Sequence, residues 1–468
     1  MGNYTMDKEP LLEAVKRNGS KLRFVSEDSR GNKEVVLRAV KQFGRALEYA
    51  SEELKGSREI VLEAVRQNGL ALQHASEELR GDKEVVLEAV KQNGLALQYT
   101  SDSIRGSKEI VLEAVKKNGI ALRFASDEIR GDRYIVSETV NQEPLAIVFA
   151  SYEIRSDRDF MLGVIKQEPR ALQFASDEIR GDRHVMLEAV KNKPSVMKLT
   201  NRELRGDREI ALEAVRRSGS MLRYVSEELR GDKEVVMEAV KNNGLALEYA
   251  SEELRGDREI ASEAVRRRGF VLHYVSEELR GDRDIVSDAV KQDGKSLIFS
   301  SKWLRGDKEI VLNAVKQAST SLHFASEELR EDKDVVLEAV RKDGLTLEYA
   351  RKGLRGDKKV VLKAVKQNGY SLQYARKGLR RDKEVVLEAV KQNGYSLQYA
   401  RKGLRGDKEV ALAAIEQQPD ARCYVSSDIR ILLNGMVDGP EDNSTPAERL
   451  RRLIAINKSK SARKVAHN

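Results

Sequence analysis

One cysteine, one tryptophan and seven prolines in 468 residues leave little to cross-link or interrupt this chain. The lone Cys423 excludes a disulfide framework and any zinc or iron–sulfur centre built from several cysteines. Aromatic residues make up only 5%, a composition closer to long helical or repeat proteins than to sheets. No apolar run approaches the ~18 residues that a membrane span needs, and the N-terminal residues lack a signal-peptide core. The expectation is an intracellular, cytoplasmic chain with no transmembrane segment. The five histidines (His74, His184, His273, His323 and His467) are scattered. His273 and His323 lie two repeats apart, roughly 20 Å, too far to share a metal. No phosphate-cradling glycine loop, serine elbow or metalloprotease motif occurs. The chain is therefore expected to be no enzyme, with no cofactor, metal or small-molecule substrate.

What is present is periodicity. Asp82-Lys83-Glu84-Val85-Val86-Leu87-Glu88-Ala89-Val90-Lys91-Gln92-Asn93-Gly94 recurs unchanged at Asp382–Gly394. Stepping by 25 residues from Asp7 gives 17 repeats over 7–431 with no insertion or deletion. Position 1 is Asp in 14 repeats and otherwise Asn32, Ser57 or Ser107, all good helix N-caps. Position 13 is Gly in 12 repeats, Ser319 in one, and Pro144, Pro169, Pro194 and Pro419 in the rest. Glycine there is expected to close the helix in a left-handed cap, and proline to forbid its continuation. One helix of about ten residues thus fills positions 1–13, with a wide apolar stripe at positions 4, 5, 6, 8 and 9. Position 8 is Ala in 15 repeats, which lets two helix backbones approach closely.

The second half of each repeat is helical in composition, either as one bent helix or as two short ones. Its apolar residues fall at positions 16, 19 and 23. An aromatic core residue is expected at position 18, where 15 of the 24 aromatics stand. A 25-residue repeat is too short to bury its own face, so the repeats must stack. The fold class read from this is all-α: a right- or left-handed α-solenoid of short stacked 25-residue repeats. At ~9 Å per packed helix its contour is roughly 150 Å. The repeat typified by Gly81–Val90 followed by Leu97-Gln98-Tyr99 resembles the domain of unknown function 4116. The resemblance implies the repeat architecture, and no activity or cofactor.

The expected organisation is an N-terminal extension (1–6), the solenoid (7–431), a linker (432–446) and a C-terminal helix with a basic tail (447–468). Thr445, Pro446 and Glu448 form a helix start, and the Leu450, Leu453 and Ile454 stripe is expected to cover the last repeat. Lys458–Lys464 reads as a solvated tail, with a nuclear-import signal as the alternative.

Arg-Gly-Asp occurs ten times, where Gly ends one helix and Asp caps the next; adhesion is not implied. Position 24 is Arg in all repeats but one, where Lys55 stands. This cation is expected to pair with the neighbouring cap Asp or to lay its stem over apolar surface, with a polyanion track, one cation per repeat, as the alternative. Positions 21 and 22 form a solvated acidic ridge, as in Glu227-Glu228. Three consecutive repeats break the ridge with Arg351-Lys352-Gly353, Arg376-Lys377-Gly378 and Arg401-Lys402-Gly403. Residues 351–410 hold 17 Lys/Arg against 6 Asp/Glu, a net +11 in a chain of +8, so the remainder is −3. The basic character is local. Arg351, Lys352, Arg376, Lys377, Arg401 and Lys402 are the candidate partner-binding residues, with Tyr370 and Tyr395 free to stack on bases. Trp303, at a normally acidic position, is a candidate contact anchor, and Tyr152 a similar intrusion. The reading is a non-catalytic scaffold for protein–protein interaction. The alternative is nucleic-acid, other polyanion or anionic-membrane binding through 351–410.

Overall fold

A computed structural model describes residues 8–434, 445–452, 454 and 455. The expected extension 1–6, residues 435–444 of the expected linker, and the Lys458–Lys464 tail lie outside the described residues. The chain is an all-α solenoid of stacked repeats, with no strand among the described residues. It divides into two compact bodies. One runs up to Arg217 and takes Tyr224–Ser226; the other takes Ser218–Arg223 and the chain from Glu227 onward.

Residues 82–106 show how each repeat is built. Asp82 Oδ1 accepts from the Val85 amide at 3.0 Å and opens the helix Lys83–Gln92. Asn93 then turns extended, and its Oδ1 accepts from the Leu95 amide at 3.0 Å. That bond caps a 3₁₀ helix, Gly94–Tyr99. Ser101 precedes a four-residue turn, Asp102–Arg105, and Gly106 closes it at φ −90°. The second half is thus two short elements. In some repeats the final turn is 3₁₀, as at Leu204–Gly206 and Leu354–Gly356.

The position-13 glycine does not form a left-handed cap. Among the described residues no glycine has φ between +20° and +160°. Its reason is steric and lies in the next repeat. A Cβ on Gly94 would fall well under 3.0 Å from the Ala114 carbonyl oxygen, and Gly69 and Gly344 stand likewise against Ala89 and Ala364. Glycine at position 13 and alanine at position 8 are two sides of one close contact. Where proline replaces glycine it occupies the first residue of the 3₁₀ helix, where a missing N–H costs little.

The core is built from positions 4, 5, 8, 9, 15 and 16. Val85, Val86, Ala89, Val90, Ala96 and Leu97 are all fully buried. The aromatics at position 18 are not core: most are half-buried, and Phe24 is 56% exposed. Where position 14 is also aromatic, its ring meets the position-18 ring of the next repeat edge-on, as Phe270 meets Phe299 with centroids 5.2 Å apart.

Three kinds of bond tie neighbouring repeats. The position-20 amide donates to the position-24 carbonyl of the preceding repeat, as Ser101 to Arg80 (3.1 Å) and Ser251 to Arg230 (2.8 Å). An amide side chain at position 11 accepts from the preceding position-13 N–H, as Gln92 from Gly69 at 2.6 Å. The cation at position 2, Lys or Arg in every repeat, reaches in many of them the acids at positions 1 and 3 of the next. Lys233 thus meets Asp257 (2.9 Å) and Glu259 (3.0 Å), and Lys308 meets Asp332 (2.8 Å) and Asp334 (3.0 Å). Each such pair is largely exposed and contributes only ~0–1 kcal/mol alone.

This ladder takes the cap Asp that the position-24 arginine was expected to bind. That arginine turns to carbonyls, as Arg105 Nη2 donates to Gln98 O at 2.9 Å and Arg155 Nη1 to Phe174 O at 3.0 Å, and in several repeats to the position-21 acid of its own turn, as Arg105 to Asp102 at 3.2 Å.

One junction in the first body departs from the pattern. Position 8 is Thr139 and then Val164, and position 13 is Pro144. There a groove of about 580 Å³ opens between the helices Arg133–Gln142 and Arg158–Gln167. At the other end, the helix Ser427–Asn434 follows the last 3₁₀ turn. The Thr445 amide donates to Glu448 Oε2 (2.7 Å) and the Glu448 amide to Thr445 Oγ1 (3.3 Å), a reciprocal cap on the following helix. Leu450 of that helix is buried, and Arg451 pairs with Glu416 of the helix Lys408–Gln417 at 2.6 Å.

Candidate functional site: the basic turns of residues 351–405

In an ordinary repeat the turn over positions 20–25 is short and self-contained. A serine hydroxyl accepts weakly from the position-23 amide, as Ser251 does from Leu254 at 3.3 Å. Two exposed acids follow, and the leucine or isoleucine after them is buried. The three basic repeats keep the backbone and change what stands on it. Arg351, Arg376 and Arg401 replace the serine and make no such cap, and lysine and glycine replace the acids.

The charges here are unevenly available. Arg351 is occupied by Glu327 (3.0 Å) and Glu331 (3.6 Å) of the acidic turn before it. Lys352, Arg376, Lys377, Arg401 and Lys402 form no ion pair among the described residues. Nearby carboxylates are held elsewhere. Asp357 pairs with Lys333 (2.6 Å), Asp382 and Glu384 with Lys358 (2.8 and 2.7 Å), and Asp407 and Glu409 with Lys383 (2.9 and 2.8 Å). Five of the six acids in 351–410 are therefore spent in the ladder.

Two recesses of about 720 Å³ each lie between these turns. One is walled by Lys352, Arg355, Arg376 and Lys377, the other by Arg380, Arg381, Arg401, Lys402 and Arg405. No carboxylate lines either. Arg380 and Arg405 are fixed by Nε donating to the Tyr399 and Tyr424 carbonyls, each at 2.6 Å. Gly356 admits the stem of Arg376, since a Cβ there would stand 2.9 Å from Arg376 Cδ.

Sequence reasoning set Arg355, Arg380 and Arg405 aside as structural rather than as a polyanion track, because a cation stands at position 24 in every repeat. Arg381 was signalled by its place at position 25, where glycine is the rule.

Tyr370 and Tyr395 are not free platforms. Both are half-buried and pack edge-on against Tyr399 and Tyr424 of the following repeats, with centroids 6.2 Å apart. Trp303 is 59% exposed and lines neither recess. Tyr152 is exposed and its hydroxyl donates to Glu178 at 3.2 Å. His273 and His323 pack against Phe299 and Tyr349 of the following repeats. Among the described residues no three His, Cys, Asp or Glu side chains are grouped to hold a metal. No helix among them is long and apolar enough to cross a membrane.

Comparison with family models returns the domain of unknown function 4116. It matches in overlapping segments from 7–55 and 32–80 through 207–255 to 382–430. Each segment spans two repeats and begins at position 1 of the register set by Asp7. Comparison with curated proteins gave no match.

Proposed function

Because the chain belongs to the family of the domain of unknown function 4116, which carries no activity to transfer, we propose from its surface that it is a non-catalytic scaffold. It holds a protein partner, and the partner's acidic stretch lies on the basic turns of residues 351–405. One observation carries the reading: two adjacent recesses walled by arginine and lysine, with no carboxylate in either. A groove lined by one sign of charge concentrates ligands of the other sign. Arginine forks match carboxylates in two-bond geometry, whereas the lysines act as point charges.

Nucleic acid offers the same charge, but single-strand binders add aromatic rings on which bases stack. The rings of Tyr370 and Tyr395 are already packed. That favours carboxylates over stacked bases.

The test titrates the full chain with poly-L-glutamate, and in parallel with single-stranded RNA and with anionic vesicles. Poly-L-glutamate is expected to bind best, with affinity falling as salt rises from about 50 to about 300 mM. R376E/K377E/R401E/K402E is expected to weaken it at least tenfold, about 1.4 kcal/mol. Equal binding by that variant, or tighter binding of RNA or vesicles, would overturn the proposal.

A further inference from the structure

The recesses have a second chemical character besides charge. At position 23 the leucine or isoleucine is buried almost everywhere: Leu54 7%, Leu79 6%, Ile129 1%, Leu229 8% and Leu329 7% exposed. Leu354, Leu379 and Leu404 are half-buried instead, a state shared at this position only by Leu279 among the leucines and isoleucines. These three leucines follow Gly353, Gly378 and Gly403. Where most repeats carry a position-22 side chain beside the leucine, these three carry none.

Nothing in the backbone demands glycine at these positions. Gly353 and Gly378 lie in the right-handed helical region, at φ −55° and −62°. A Cβ at Gly353, Gly378 or Gly403 would meet nothing within 4 Å. The glycines leave this surface bare of a position-22 side chain. Leu379 and Ala375 line one recess, and Leu404 and Ala400 the other. Each recess therefore combines cationic walls with an apolar floor.

We infer that these two recesses read an extended acidic segment of a partner protein that carries an apolar side chain at every third residue. The inference rests on the scaffold reading above and adds the pattern of the partner. Successive repeats are stacked helices, which pack at ~8–10 Å. A polyproline-II segment rises ~3.1 Å per residue with three residues per turn, so residues i and i+3 point the same way ~9 Å apart. Two apolar side chains so spaced enter neighbouring recesses. The acids between them face Lys352, Arg376 and Lys377 on one side, and Arg381, Arg401 and Lys402 on the other. The segment's backbone needs no ladder of hydrogen bonds in this conformation.

The experiment uses the full chain and three labelled nine-residue peptides of equal charge. In the first, Leu-Glu-Glu is repeated three times; in the second, serine replaces each leucine; in the third, the three leucines are adjacent. The first is expected to bind at least tenfold tighter than either of the others. Gly378→Glu with Gly403→Glu restores the side chain that other repeats carry and fits the open space, so folding is expected to be retained; far-UV circular dichroism checks it. This double variant is expected to abolish the advantage of the leucine peptide.

Equal binding of the leucine and serine peptides would overturn the apolar floor while leaving the acid-binding reading intact. Equal binding of spaced and adjacent leucines would overturn the three-residue pattern. A leucine advantage that survives the double variant would overturn the assignment to these recesses. Binding of none of the three would overturn the scaffold reading itself.

Discussion

Gly94→Val is expected to shift the urea unfolding midpoint sharply downward, and Gly353→Ala to leave it unchanged or raise it. Both glycines have right-handed or extended backbones, so conformational freedom separates neither from alanine. What differs is the space around them. A Cβ on Gly94 is driven into the Ala114 carbonyl, which belongs to a helix backbone and cannot rotate away, while a Cβ on Gly353 meets nothing within 4 Å. Overpacking of this kind costs roughly 1–3 kcal/mol, sometimes more. Alanine for an unconstrained glycine in a helical turn gains up to about 1 kcal/mol. The junction after Pro144 lacks this glycine–alanine contact. With Pro144 and Val164 in place of glycine and alanine, the two helices stand either side of the 580 Å³ groove. Circular dichroism at 222 nm in urea checks both variants. Equal midpoints would mean that the glycine–alanine contact does not set the stacking distance.

Acid is expected to unfold the chain through the position-1 aspartates. At Asp132 and Asp357 the hydrogen bond from the preceding lysine, Lys108 or Lys333, is the main cause that holds the carboxyl below its ordinary range. At Asp182, Asp207, Asp257, Asp282, Asp307, Asp332, Asp382 and Asp407, burial pushes the other way. It is outweighed by the same cross-repeat bond together with backbone amides of the first helical turn. Glu168 takes a capping place at position 12 and is lowered to about 2, chiefly by its bond from Arg170.

The sign follows from linkage. These groups bind protons more weakly folded than unfolded, so their contribution is complete above the unfolded value of ~3.9. It is lost as pH falls from there towards the folded values. Each protonated cap forfeits up to ~0.5–2 kcal/mol, and the losses recur along the chain. Asp257→Asn, Asp282→Asn and Asp307→Asn together keep the capping oxygen, as Asn32 does naturally, but cannot titrate. The triple variant is expected to be slightly less stable than the parent at pH 7, and the gap to narrow as pH is lowered through about 3.9 and below. A gap that stays constant would contradict the role given to these carboxylates.

The period was legible in the sequence because every repeat solves the same packing problem with the same residues in the same register. The 3₁₀ helix was not. Asn93-Gly94 looks like a helix ending, and within one repeat nothing distinguishes that from an asparagine capping the next element. The reason for the glycine lies 20 residues away, at Ala114. The cross-repeat ladder was missed for a related cause. Positions 2 and 3 carry opposite charges and cancel in any count of net charge, so only the geometry of stacking gives them partners. The candidate site divides the same way. The change from acid to Arg-Lys-Gly is plain in the residues themselves. That Glu327 and Glu331 occupy Arg351, that Tyr370 and Tyr395 are packed, and that Leu379 and Leu404 are uncovered all depend on neighbouring repeats.

Hydrogen–deuterium exchange on the full chain, with and without the repeated Leu-Glu-Glu peptide, tests most directly where a partner sits. Slowed exchange is predicted over residues 376–381 and 401–405, with no change in the acidic turns 126–131 and 251–256. Protection of those acidic turns, or a bound peptide that protects neither basic turn, would contradict the account.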